Sequence, residues 1–147
     1  MADDLLALEA LLIDRIRTLL PTMQHVMGAK DLGGVKEETV PAPAILIVFQ
    51  GARIEDTAES AVSIRQTWAL YVVAAGVKDL RGGSDKRQTA GPIIQALIAG
   101  LHYWMPGQGY APLRLEAIHA PYYTESGKGF FPIVFTTSIA VIGVDSF

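Results

Sequence analysis

Residues 61–76, Ala61-Val-Ser-Ile-Arg-Gln-Thr-Trp-Ala-Leu-Tyr-Val-Val-Ala-Ala-Gly76, constrain the fold more than any other part of the chain. Val62, Ile64, Trp68, Leu70 and Val72 share one face of an extended backbone, and Ser63, Arg65, Thr67, Ala69 and Tyr71 share the other. This period of two predicts a half-buried antiparallel strand. At ~3.3 Å per residue the segment would reach roughly 50 Å, whereas an ordinary strand has about five to six residues. A chain of 147 residues cannot easily cover such a strand from end to end. Either it bends at a bulge, or its first half projects as an arm with Ser60 near the tip. A projecting arm presents edge groups that favour pairing with another chain.

The flanking segments supply the rest of the fold. Asp3 to Leu20 reads as a helix, with Asp3 or Asp4 as cap and Pro21 as stop. Leu5, Leu8, Leu12, Ile16 and Leu19 form its apolar face; Leu6, Ile13 and Leu20 form a second stripe, and Leu11 widens it. One apolar stripe suffices for a surface helix, so the extra width suits either deep burial or contact with a neighbouring subunit. Thr22 to Pro43 reads as a connector with room for a short strand. Ala44 to Gln50 is a strand that can continue through Arg53 to Glu55, and Asp56 to Ser60 is a hairpin tip. Thr89 to Trp104 is a second helix, with Thr89 as cap and Pro92 in the first turn. Leu113 to Tyr123 is a strand with Leu113, Leu115 and Ala117 on one face. Thr124 to Gly129 is a turn, and Phe130 to Val144 a final strand. The expected architecture is α+β: a mainly antiparallel sheet with two principal helices packed on it, in the order α-β-β-α-β-β, as a single domain over residues 1–147.

Composition narrows the function. Net charge is −3, which does not support a general nucleic-acid-binding role. No stretch of about 18 uninterrupted apolar residues predicts a membrane span. The chain has no cysteine, so thiolate catalysis, disulfides and cysteine-type zinc sites are excluded. The acidic Met-Ala-Asp-Asp start does not read as a signal peptide. Lys78, Arg81, Lys86 and Arg87 form a modest basic patch against Asp79 and Asp85.

A search for chemistry finds little. A strand followed by a glycine-bearing charged loop and a helix often marks a phosphate site, yet residues 76–91 have neither G-x-x-x-x-G-K-[ST] nor G-x-G-x-x-G. Gly82-Gly83-Ser84 could at most form an anion nest beside Lys86 and Arg87. His25, His102 and His119 share no metal-ligand spacing. No G-x-S-x-G elbow is present. Asp3/Asp4, Glu37/Glu38 and Glu55/Asp56 lie in termini or polar loops, where carboxylates are solvated. Two other readings remain: an aromatic pocket built from Trp104, Tyr110 and His119 that binds a small molecule, enzymatically or not, and a regulatory module that pairs by its sheet edge.

The order and character of the segments resemble the tail-terminator family of tailed phages, nearest to the Mu-like contractile-tail type. The residues carrying the resemblance are the strand Ile45 to Phe49, the strand Arg65 to Val73, Tyr103-Trp-Met-Pro106, Pro112-Leu-Arg-Leu115 and the final Thr/Ile/Val strand. The resemblance implies a non-enzymatic structural protein, without cofactor or metal, that forms a hexameric ring on the tail tube. Its implied partners are copies of itself, the tube protein, the sheath protein in a contractile tail, and the neck connector. Its implied location is the virion tail, assembled in the host cytoplasm. On that view Leu6, Ile13, Leu20, Ser63, Arg65 and Thr67 are candidates for the subunit interface. Lys78, Arg81, Lys86 and Arg87 are candidates for a loop that meets the tube or, in a ring lumen, DNA without sequence readout.

Overall fold

The computed structural model describes residues 4–29, 39–75, 84–125 and 127–143. Its elements are α1 (Leu8–Leu19), β1 (Val26–Ala29), β2 (Ala44–Thr57), β3 (Ala61–Ala75), α2 (Ser84–Leu101), β4 (Arg114–Ile118), β5 (Tyr122–Tyr123) and β6 (Lys128–Ile142). The strands form one sheet in the order β1-β2-β3-β6-β4, with β5 also on β6. All pairings are antiparallel except β1 with β2. The expected α+β architecture is present, with β1 added and the strand after α2 split in two.

β3 is unbroken and central. It pairs with β2 on one side and, from Ala61 to Ala75, with β6 on the other. The long hairpin is therefore backed along its whole length by a third strand, and β3 has no free edge. The bends fall in β2 instead, at register shifts between Phe49 and Ala52 and between Ile54 and Asp56. Gly51 supplies the first with φ 111°, a backbone state that a side chain would strain. β1 covers the outer edge of β2 only from Ile45 to Val48. Beyond it, among the described residues, Gln50 to Thr57 have no strand on that side.

Both helices lie on the face that carries Trp68, Leu70 and Val72. Leu8, Leu12 and Ile16 are fully buried there with Ile45, Ile47, Leu97, Leu101, Ile133 and Phe135. Full burial of such a side chain contributes about 1.5–3 kcal/mol, so the first apolar stripe of α1 secures it. The Phe49 and Trp68 rings pack at a tilt of 54°, with 5.0 Å between centroids. α1 and α2 meet where Gly100 leaves room for Leu19. The Arg15 guanidinium donates to the Gly100 carbonyl (3.0 and 3.2 Å) and lies 5.4 Å from the Trp104 ring. A smaller core on the other face joins Val40, Ala44, Leu46, Val73 and Phe130.

Several boundaries differ from the sequence expectation; α2 ends at Leu101 rather than Trp104, and β2 runs on to Thr57. α1 starts at Leu8, because Asp4 closes a turn first: its carboxylate accepts from Leu6 N (2.9 Å) and its carbonyl from Ala7 N (3.1 Å). α2 starts at Ser84, five residues before Thr89, so Pro92 lies inside the helix. An interior proline forfeits one backbone bond, and burial of Ala90 beneath the helix, with Leu97 and Leu101, offsets that loss. The strand after α2 breaks at residues 119–121, where Pro121 has no N–H to donate. Leu115 pairs with Phe135 but Ala117 with Val134, so a bulge at Glu116 puts Ala117 on the opposite face from Leu115.

Candidate functional site

The six interface candidates do not form one surface. Leu6, Ile13 and Leu20 lie on the helix side; Leu6 is exposed, while Ile13 and Leu20 are half-buried against the main core. Ser63, Arg65 and Thr67 lie on the helix-free face, so the sheet separates the two triplets. Lys78 and Arg81 fall outside the described residues. Lys86 and Arg87 belong to the first turn of α2, not to a loop. Of the Gly82-Gly83-Ser84 nest only Ser84 is described, as the first residue of α2.

Arg65 organises the helix-free face. Its guanidinium pairs with Glu116 on β4, donates to Thr136 Oγ1 on β6 (3.2 Å) and approaches Glu55 on β2 (3.7 Å). Thr136 Oγ1 in turn donates to Glu116 (2.8 Å). Glu55 also accepts from the Ser138 hydroxyl and from Ser63 Oγ (3.4 Å). The Ser138 bond holds the Glu55 carboxyl below the usual carboxylate range. Desolvation opposes that effect, and Arg65, Ser63 and Arg53 reinforce it. One arginine thus ties β2, β3, β6 and β4 together at the root of the projecting part of the sheet. These side chains are partly exposed, so the network aligns strands more than it stabilises them.

The sequence reading passed over Gln66, which shares the face of Val62, Ile64 and Trp68. It is fully buried. Its Nε2 donates to the Leu5 carbonyl (2.6 Å), and its Oε1 accepts from Trp68 Nε1 (3.0 Å). A polar residue on an apolar strand face was the available signal. Gln66 marks where α1 stops covering the sheet; one step further Ile139 is still buried, with Ile64 packed against it. Beyond Gln66 the arm carries Ile54, Ile64, Val62 and Val141 on the helix side, with Ile54 67% exposed.

The large exposed apolar side chains among the described residues fall into two groups. Leu5, Leu6, Ile54, Val141 and Ile142 belong to the arm and its root. Tyr103, Met105, Ile118 and Tyr123 lie along the β4–β5 edge and the loop before it. Arg114 sits beside the second group, its guanidinium 6.0 Å from the Tyr103 ring.

Catalytic geometry is lacking among the described residues. No cluster of three or more His, Asp or Glu side chains could hold a metal ion. His102 Nδ1 accepts from Leu115 N (3.1 Å), a structural bond between the end of α2 and β4. The aromatic pocket does not form: Tyr110 is buried and bridges to Ile139, whereas His119 N donates to the Pro132 carbonyl. Those anchor points lie roughly 23 Å apart along β6 at ~3.3 Å per residue. Burial, and secondarily Asp4, raise the Tyr110 phenol above its usual range, and among the described residues its hydroxyl has no hydrogen-bond partner. No helix among the described residues is long and apolar enough to cross a membrane.

Comparison with known proteins places this geometry. The family model described as phage tail terminator protein matches residues 1–143. Among solved structures, a chain from the virion of a native gene transfer agent particle superposes with a TM-score of 0.60. It is 12% identical, and the match covers 91% of this chain and 95% of that one, a likeness of fold. No curated protein matches the chain by sequence.

Proposed function

This chain belongs to the phage tail terminator protein family, and from that premise we propose that it ends tail growth as a ring of copies seated on the tube. As a member of that family it is a structural protein of the virion tail. The finer reading is a hexameric ring that occupies the growing end where the next tube ring would add. Its other side offers a docking surface to the neck connector and, in a contractile tail, its rim meets the last sheath ring. The mechanism is steric occupancy, and no bond is made or broken.

The observation that carries this reading is the arm. Three strands run past the point where α1 stops covering them, and on their helix side Ile54 and Val141 are exposed in the lone chain. A clamp of charged and hydroxyl side chains at its root holds it in line with the sheet. An aligned apolar projection suits a subunit contact better than a ligand pocket. The basic residues Lys78, Arg81, Lys86 and Arg87 are assigned to the tube or to DNA in the lumen. Reversing Arg81, Lys86 and Arg87 to acids should then impair tail completion, and normal infectious particles would count against that assignment.

Adding the purified protein to polymerising tube protein tests the termination reading. Tubes should stop elongating and carry a ring at one end by electron microscopy. An unchanged length distribution with bare ends would overturn it.

A further inference from the structure

Taking the proposed ring as given, we infer that its repeating contact joins the projecting arm of one copy to the β4–β5 edge of the next. A two-fold pair needs one self-complementary patch, whereas a head-to-tail ring needs two unlike patches at different places on the subunit. The exposed apolar side chains provide two, one on the projecting end of the sheet and one on its lateral edge. They differ in kind. The arm offers aliphatic side chains such as Ile54 and Val141; the edge offers Tyr103, Met105 and Tyr123, the rings and flexible thioether that anchor interfaces.

The charges are complementary. Between Gln50 and Ser60 the arm carries Glu55, Asp56 and Glu59 against Arg53 alone. Glu55 is already engaged by Arg65 and Ser138, so Asp56 and Glu59 are the acids left facing outward near the tip. On the edge, Glu116 is engaged from within its own sheet by Arg65. Arg114 is exposed, and among the described residues it meets no carboxylate, only the Tyr103 ring. An acidic arm tip with an aliphatic face therefore meets a cationic edge with an aromatic face. Backbone pairing along β2 is the weaker route to the same contact, because two bulges and the charges on residues 53–56 blunt that edge.

The absence of cysteine makes a direct test possible. Ile54→Cys and Ile118→Cys are both surface changes. Purified tails carrying both, treated with a short bis-maleimide, should give a ladder of covalent multimers. A mixture of the two single variants should give dimers only, and each single variant alone monomers. In parallel, Asp56→Arg or Arg114→Asp alone should weaken ring formation roughly tenfold, and the pair together should restore it. Rings visible at the tail end with no ladder from the double variant, and no rescue by the charge swap, would overturn this contact while leaving the ring reading intact. Tails that show no ring of this protein at all would overturn the ring reading, and this contact with it.

Discussion

The carbonyl of Leu5 accepts a 2.6 Å hydrogen bond from Nε2 of the fully buried Gln66, sixty-one residues away in the chain. The same side chain accepts from Trp68 Nε1. The turn before α1 is thereby fixed to β3 where the covered part of the sheet gives way to the arm. Gln66→Leu would leave a buried indole N–H and a backbone carbonyl unpaired. Such a loss costs about 1–3 kcal/mol, a drop of roughly 2–12 °C in melting temperature for a chain of this size. Thermal unfolding followed by circular dichroism checks it; an unchanged midpoint would show that water replaces the lost bonds at no cost.

How far the sequence reveals this arrangement follows from the range of each signal. The alternation from Val62 to Val72 is a local pattern, and it marks β3 almost to the residue. The triplet Leu8, Leu12 and Ile16 is equally local, and all three are buried. β1 is four residues long and defined by its parallel pairing to β2, so no periodicity announces it. Gln66 breaks the apolar face of β3, yet its partner is a backbone carbonyl, which no side-chain pattern predicts. The Arg65 network draws on β2, β3, β4 and β6, and only the sheet order brings those residues together. The exposed apolar groups were equally hidden, since exposure depends on where the helices end.

The Arg65 cluster predicts a pH dependence with a definite sign. The folded state holds Glu55 ionised below its ordinary value of 4.5, chiefly through the Ser138 hydroxyl. A carboxylate with a lowered folded pKa contributes stability above its unfolded pKa and loses it as the pH falls through the folded value. Glu55→Gln should therefore be less stable than the parent protein at neutral pH, and the gap should close below pH 4.5. Melting temperatures of both proteins across that range decide it; a gap that widens in acid would be the wrong sign.

Pro92 gives a prediction in the stabilising direction. It sits inside α2, on an exposed part of the helix, where it cannot donate to the carbonyl four residues earlier. Pro92→Ala restores that bond and relieves the ring's clash, a gain of up to about 3 kcal/mol. The more flexible unfolded chain opposes it by about 0.4–1 kcal/mol. Urea unfolding should show a higher midpoint with an unchanged slope. A lower midpoint would mean that the ring packs against something α2 needs.

Ile54→Asp separates folding from assembly. Ile54 is 67% exposed on the arm, paired across β3 and β6 with Ile64 and Ile139. An exposed substitution away from caps and cores typically shifts stability by about 0.5 kcal/mol or less, so the purified variant should melt close to the parent protein. The same aspartate, pressed against the apolar edge of the next copy, would bury a charge beside side chains such as Ile118 and Met105. Such a change costs several kcal/mol at each contact, and a closed ring repeats its contact at every subunit. The variant should therefore fold normally yet fail to cap tubes, leaving tails of uneven length in electron micrographs. Tails of normal length from a normally folded variant would remove the arm face from the assembly surface; a misfolded variant would instead show that Ile54 belongs to the core of the sheet.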